Sequence, residues 1–323
     1  MKFRQCNKHT VLALTTTAFV SACGSSDPSA QTSALLGATE LSLPPGFETQ
    51  VVFEGAGESR ELYIREDGDL FVSLTGLSDD KHILGLRDED NDFVIDTVER
   101  FYHLTTPEEQ RLPQVHIEYF NEYLYAVENE QLVRMHLPPG ELTPRGEIEI
   151  IVDRIPYQRR HRGRTLSIDP EGWVYVNIGA PSNVCQQNPS TMGSPGLDPC
   201  PQLEQHAGIW RWRGDVLNQA REDGEHYAGG IRNAIAQTWD KIYGGLYVGQ
   251  MGRDRLGSLW PEHFDSTQSA ELPPKNSFVS RKDRTSVGRI ATTITFRTKR
   301  YWRRSMAATA RRSAAVLITP ALS

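Results

Sequence analysis

The sequence predicts an all-β fold, a β-propeller with about four blades encoded intact, on three observations. One phrase recurs four times between Glu40 and Pro274: a short polar turn, a β-run with two aromatic or aliphatic residues, and often a glycine. The copies are EDGDLFVSLTG, FNEYLYAVEN, DPEGWVYVNIG and IYGGLYVGQMG, centred on Phe71, Tyr125, Tyr175 and Tyr247. Their centres lie roughly fifty residues apart, and roughly seventy where a cysteine loop intervenes, the interval of a four-stranded propeller blade. Other β-runs, KHILGLRDED, QLVRMHLP and AGIWRWRGD, fill the intervals. No long apolar pattern of period 3.6 appears, so helices are minor. The chain has 323 residues, 38% of them hydrophobic, which suits a β-rich globular protein better than a disordered one.

Residues 1–22 read as an export signal of the lipoprotein type. MKFRQCNKH carries Lys2, Arg4 and Lys8, and TVLALTTTAFVSAC gives a short apolar core ending in small residues. VSAC resembles a bacterial lipoprotein box, which makes Cys23 the lipidated residue; the alternative is an ordinary cleaved signal. No apolar run approaches the roughly 18 residues that span a bilayer, so the expected membrane attachment is this lipid anchor. Residues 23–40 read as a flexible tether. Gly24 and Ser25, with no aspartate directly after Cys23, resemble outer-membrane sorting, on the periplasmic side of the envelope. Export means an oxidising compartment, so Cys185 and Cys200 are expected to form a disulfide across a Pro- and Gly-rich loop.

Residues 41–274 hold the propeller. About ten residues upstream of each repeat phrase lies a polar segment: GESREL, LPQVHI, HRGRTL and AGGIRNAI. In a propeller the innermost strand of each blade lines the central channel, and the loop into it opens at the channel mouth. Arg60, His116, His161, Arg164, Arg232 and Asn233 are therefore expected to converge there. His161, set among arginines, is either a solvated loop residue or a base at the mouth of a site. DEDNDFVID (Asp88–Asp96) echoes a calcium loop, but Phe93 stands where such a loop needs glycine and the bidentate glutamate is missing. It reads as a hairpin loop. No phosphate-binding glycine loop, Ser/His/Asp signature, zinc spacing or CxxC motif is present.

Residues 275–323 break the pattern. They hold twelve of the 35 Lys and Arg residues and only Asp283 of the 41 acids. A basic tail can bind nucleic acid or anionic lipid, but an exported protein has little use for nucleic acid and none is expected as a partner. The segment also reads as a frameshift near Pro274. IATTITFRT and YWRRSMAAT can be encoded so that a two-base shift yields aromatic, Gly-rich and acidic text in the body's own style. The tail as written is expected to be disordered.

Four motifs in order, LPPGFETQVVFEGAGESRELYIREDGDLFVS, HRGRTLSIDPEGWVYVNIGAPSNVC, AGGIRNAIAQTWD and GRDRLGSLWPEHFDSTQSAELPP, resemble the soluble quinoprotein sugar dehydrogenases, nearest the glucose/sorbosone dehydrogenase type. The resemblance covers Leu43 to Pro274 and extends into the shifted reading of the tail. It implies a six-bladed propeller holding pyrroloquinoline quinone (PQQ) and calcium over the channel, a small sugar as substrate and an external electron acceptor. By its motifs His161 matches the general base. Arg232 and Asn233 match the pair contacting the quinone, with Arg60 and Asp254 as further cofactor neighbours. Gly252 and Arg253 match the backbone-carbonyl ligands of calcium. The resemblance also implies that a chain truncated by frameshift has little activity. Two other readings stay open: a non-enzymatic propeller that binds an envelope component, and a calcium-dependent, lactonase-like propeller hydrolase.

Overall fold

Strands in this chain form where β-branched and aromatic residues alternate with polar ones, and turns fall at Gly, Asn and Asp. The computed structural model describes residues 45, 47–75, 81–104, 114–128, 130–157, 159–242, 244–271, 275–280 and 314–320. They fall into two compact units. The small one takes in the first residues of β1 (Phe47–Glu54) and the last of β17 (Ala314–Pro320), two strands that pair with each other. The main unit runs from Val51 to Leu317.

The main unit is a series of antiparallel sheets, each a blade made of consecutive strands. The first holds β2 (Ser59–Ile64), β3 (Leu70–Leu74), β4 (Ile83–Arg87) and β5 (Thr97–Phe101) in that order. The second holds β6 (His116–Phe120), β7 (Tyr123–Val127), β8 (Leu132–His136) and β9 (Arg145–Val152). The third holds β10 (Leu166–Ile168), β11 (Trp173–Ile178), β12 (Gly208–Arg213) and β13 (Glu225–Gly229). The fourth is three-stranded: β14 (Ala234–Trp239), β15 (Leu246–Met251) and β16 (Lys275–Ser280). The first strands β2, β6, β10 and β14 approach one another in succession from sheet to sheet, which makes them the inner strands of a β-propeller. The repeat phrases form the second strand of each blade, β3, β7, β11 and β15.

Burial follows from stacking blade on blade. Phe71 and Ile83 of the first blade pack against Ile117, Leu124 and Met135 of the second. Leu132 and Ile151 of the second meet Val174, Trp210 and Trp212 of the third. Tyr175 and Ile209 of the third meet Leu246 and Val248 of the fourth. Trp210 and Trp212 are almost wholly buried, and each large side chain so placed contributes roughly 2–3 kcal/mol of hydrophobic stabilisation. The outward face of the first blade is also covered: Val72, Leu84 and Leu86 pack with Ala56 and Phe53.

Polar side chains tie the turns down. Asp69 receives Arg65 and Arg87, and the Arg65 guanidinium also lies over the Phe71 ring, 5.1 Å from its centroid. In the third blade Asp169 accepts the amides of Glu171 and Trp173 and the Tyr175 hydroxyl. The Asp88–Asp96 segment joins β4 to β5 as a hairpin loop, and Phe93 sits there in the left-handed region at φ 67°. The carboxylates of half-buried Asp88 and of exposed Asp90 and Asp96 approach one another, while Asp88 is engaged by the amides of Asn91, Asp92 and Phe93.

The tail differs from expectation where it is described. Lys275–Ser280, expected to be disordered, pairs with β15 from Met251↔Lys275 to Leu246↔Ser280. Without it, one edge of β15 would leave its amides and carbonyls unpaired, and an extended run containing Phe278 and Val279 suits the ladder. Ala314–Pro320 is a strand as well. The expected signal, Cys23, the tether up to residue 40 and residues 281–313 lie outside the described residues. No helix among the described residues is long and apolar enough to cross a membrane.

Candidate functional site

The loops entering the inner strands open onto one cavity of about 720 Å3. Arg60 of β2 and Gln114, just before β6, form one wall. Tyr157, Arg159, His161, Arg162 and Gly163, ahead of β10, form another, and Asn233, Ile235 and Met251 of the fourth blade complete it. The lining carries three guanidinium groups and an imidazole, and none of the described lining residues is acidic. A concave site with that charge favours an anionic ligand.

His161 lines this cavity from a left-handed backbone position, φ 50°. Its Nδ1 lies 2.6 Å from the Ala180 carbonyl at the end of β11. A carbonyl can only accept, so the proton sits on Nδ1 and Nε2 is the ring's basic nitrogen. Burial pushes the imidazole pKa below its usual 6.5. Arg232 and Arg160 push the same way, while the Ala180 hydrogen bond and Asp254 oppose them. Of these causes, loss of water on burial is the largest.

Arg60 is held from behind. Its Nε donates to His116 Nε2 at 3.4 Å, and His116 Nδ1 faces the Glu61 carboxylate. His116 is buried and does not itself line the cavity. Gly163 lets Gln114 and Arg60 come close: a Cβ there would lie 2.2 Å from Gln114 Oε1 and 3.2 Å from Arg60 Nη2.

Arg232 and Asp254 are brought together, but neither is among the lining residues. Arg232 is buried, and its Nη2 donates to Asp254 Oδ2 at 3.0 Å. Its Nη1 donates to the Met251 carbonyl at 3.3 Å, and its Nε to Asn183. Burial lowers the Arg232 pKa, and Asp254 counters it. Gly252 and Arg253 follow directly after Met251 of the lining. No described residue donates a hydrogen bond to either of their carbonyls. Arg164, expected at the channel mouth, is instead fully buried, with Nη2 on the Pro156 carbonyl at 2.6 Å and its pKa pushed by burial down to about 9. Cys185 and Cys200 are joined by a disulfide, their Cα atoms 6.1 Å apart.

Sequence reasoning passed over Gln114, Tyr157, Arg159, Arg162, Ile235, Met251 and Asn183. Gln114, Tyr157, Arg159, Arg162 and Ile235 lie in or within a few residues of the polar segments that mark the inner-strand entries, so proximity to those entries was the usable signal; Met251 lies at the end of the fourth repeat phrase and Asn183 in the loop after β11.

The propeller class rests on the sheets. No protein-family model matches the chain, and no curated protein is significantly similar to it. Among solved structures it is similar to the PQQ domain of pyranose dehydrogenase from Coprinopsis cinerea, at 16% identity over 66% of this chain and 48% of that one, with a TM-score of 0.53. It is also similar to two structures of Trichoderma reesei carbohydrate-active enzymes family AA12. The iodide structure is 15% identical with a TM-score of 0.58, and the calcium structure 14% with 0.55. Each match covers 76% of this chain and 57% of that one. The chain thus spans about half of the length of these proteins. At such identities the likeness is one of fold.

Proposed function

We propose that the chain is an oxidoreductase of the PQQ-dependent kind that oxidises a hydroxyl, or a hydrated aldehyde, of a small sugar. The observation that carries this is the cavity: three arginines and a histidine, with no acid among its described lining, at the entries to the inner strands. PQQ is a planar tricarboxylate, and guanidinium groups suit its carboxylates as charge-assisted, bidentate partners. The residues also fit calcium, because the Gly252 and Arg253 carbonyls have no donor among the described residues and calcium takes oxygen ligands. The fold likeness to a PQQ domain and to a calcium structure supports the same reading.

When bound there, the quinone would accept the hydride, with its two electrons, that leaves the substrate carbon. The chain supplies the rest. His161 Nε2 takes the hydroxyl proton as the carbon–oxygen bond becomes a carbonyl, and its low pKa keeps it unprotonated at neutral pH. Arg60, Arg159 and Arg162 bind and orient carboxylates, and Asn233 adds an amide at the fourth-blade wall. Arg232 and Asp254 stand behind as a charge pair acting on His161 through the field.

The test is to titrate the full chain with PQQ and calcium, following quinone absorbance, and then to measure reduction of an electron-accepting dye with aldoses. Saturable PQQ binding supports the reading, and absence of binding refutes it in favour of a binding module or a hydrolase. Because the chain spans about half of the proteins it matches, turnover is expected to be low. His161→Ala should abolish whatever turnover exists and leave PQQ affinity within about threefold, since it removes the base and no carboxylate partner.

A further inference from the structure

We infer that Asn183 is a positioning residue that ties the cavity's fourth-blade wall to the disulfide loop, and so sets the affinity of the site for quinone and calcium. This rests on the function proposed above. Asn183 lies between β11 and β12, two residues before Cys185, and is only 6% exposed. Its side-chain amide is engaged through both its oxygen and its nitrogen. Oδ1 accepts from Arg232 Nε at 3.0 Å and from the Asp254 amide at 3.1 Å, and Nδ2 donates to the Asp254 carbonyl at 2.6 Å. Its own carbonyl also accepts from Arg232 Nε at 3.1 Å.

The amide of Asn183 therefore pairs with both backbone groups of Asp254, its Nδ2 donating to the carbonyl and its Oδ1 accepting from the N–H. That clamp holds the end of the Gly252–Asp254 turn whose two carbonyls have no described donor. The same side chain fills the Nε side of Arg232 while Asp254 and Met251 fill the other two nitrogens. Only an amide does both jobs at this size: aspartate lacks the donor, and serine is too short to span both partners. The support is itself anchored. Ser182 Oγ accepts the Cys185 amide at 2.9 Å and bonds Gln202 Oε1 at 2.8 Å, and the disulfide closes the loop behind it.

A purely structural role is separated by a control in the same loop. Gln186 is equally buried and bonds Thr191, Ser194 and Ser190, but touches neither Arg232 nor Asp254 in the bonds described. Full-chain Asn183→Ala and Gln186→Ala are titrated with PQQ at saturating calcium, and with calcium at saturating PQQ. Asn183→Ala is expected to raise both dissociation constants about tenfold or more, the usual cost of removing a partner that orients a ligand. Gln186→Ala is expected to lower the melting temperature while keeping both constants within about twofold. Asn183→Ser, which keeps a polar group, serves with the same expectation should the alanine variant not fold. Wild-type affinity in the Asn183 variant, or equal losses in both variants, overturns the inference alone. A wild-type chain that binds neither ligand overturns the proposed function and this inference with it.

Discussion

Glu118 allows the charge balance of the channel to be tested by number. It lies on inner strand β6, and burial lifts its carboxyl from 4.5 to about 8, with the charge of Glu61 on β2 adding to the rise. The Ile168 amide on β10 and Lys241 after β14 oppose the shift without cancelling it. A carboxyl raised in the folded state favours folding fully below its unfolded pKa and loses that contribution as pH climbs towards the folded value. From pH 5 to pH 8 the folded chain keeps a proton that the unfolded chain has released. At about 1.4 kcal/mol per pH unit the loss amounts to about 4 kcal/mol, and partial solvent access at the channel brings it to about 2 kcal/mol. Glu118→Gln removes the titration and keeps the shape. Urea unfolding of both proteins at pH 5 and pH 8 reads the difference: the variant should gain about 2 kcal/mol relative to wild type at pH 8 compared with pH 5. His161, His206 and His226, whose pKa values are pushed down by burial, add a slope of opposite sign below 6.5, but it is common to both proteins and cancels. An equal stability difference at both pH values would refute the assignment of Glu118 as a neutral acid in the folded channel.

Two further outcomes follow from the cavity. If His161 is the base, dye reduction should rise with pH along an acid limb whose midpoint lies below 6.5, because its pKa is depressed. A limb centred above 6.5 would remove it from that role. Gly163→Ala should push aside the flexible Gln114 amide and crowd Arg60, weakening PQQ about threefold or more at a stability cost of about 1 kcal/mol. Unchanged affinity would show that this wall does not meet the ligand.

The repeat phrases made the blades legible. A polar turn followed by alternating aromatic and aliphatic residues encodes a hairpin and a buried second strand, and that is local chemistry. Trp173–Ile178 could be marked as a strand in advance for this reason, and it is β11. The entry loops were legible too, since each repeat carried its polar segment at a fixed distance, and His161, Arg60 and Asn233 meet at one cavity. The tail was misread at Lys275–Ser280 because pairing with β15 is a non-local event that composition does not register.

The chain by itself determined the propeller, its blade order and the residue types available at each channel entry, because hydrophobic period and turn chemistry act over a few residues. Only the tertiary structure decided what each charge does. Arg60 reaches the cavity because His116 and Gly163 leave it one direction, whereas Arg232 and Arg164 are drawn into the protein by Asn183, Asp254 and the Pro156 carbonyl. The cost of burying a guanidinium depends on which partners surround it, and those partners come from segments far apart in the chain.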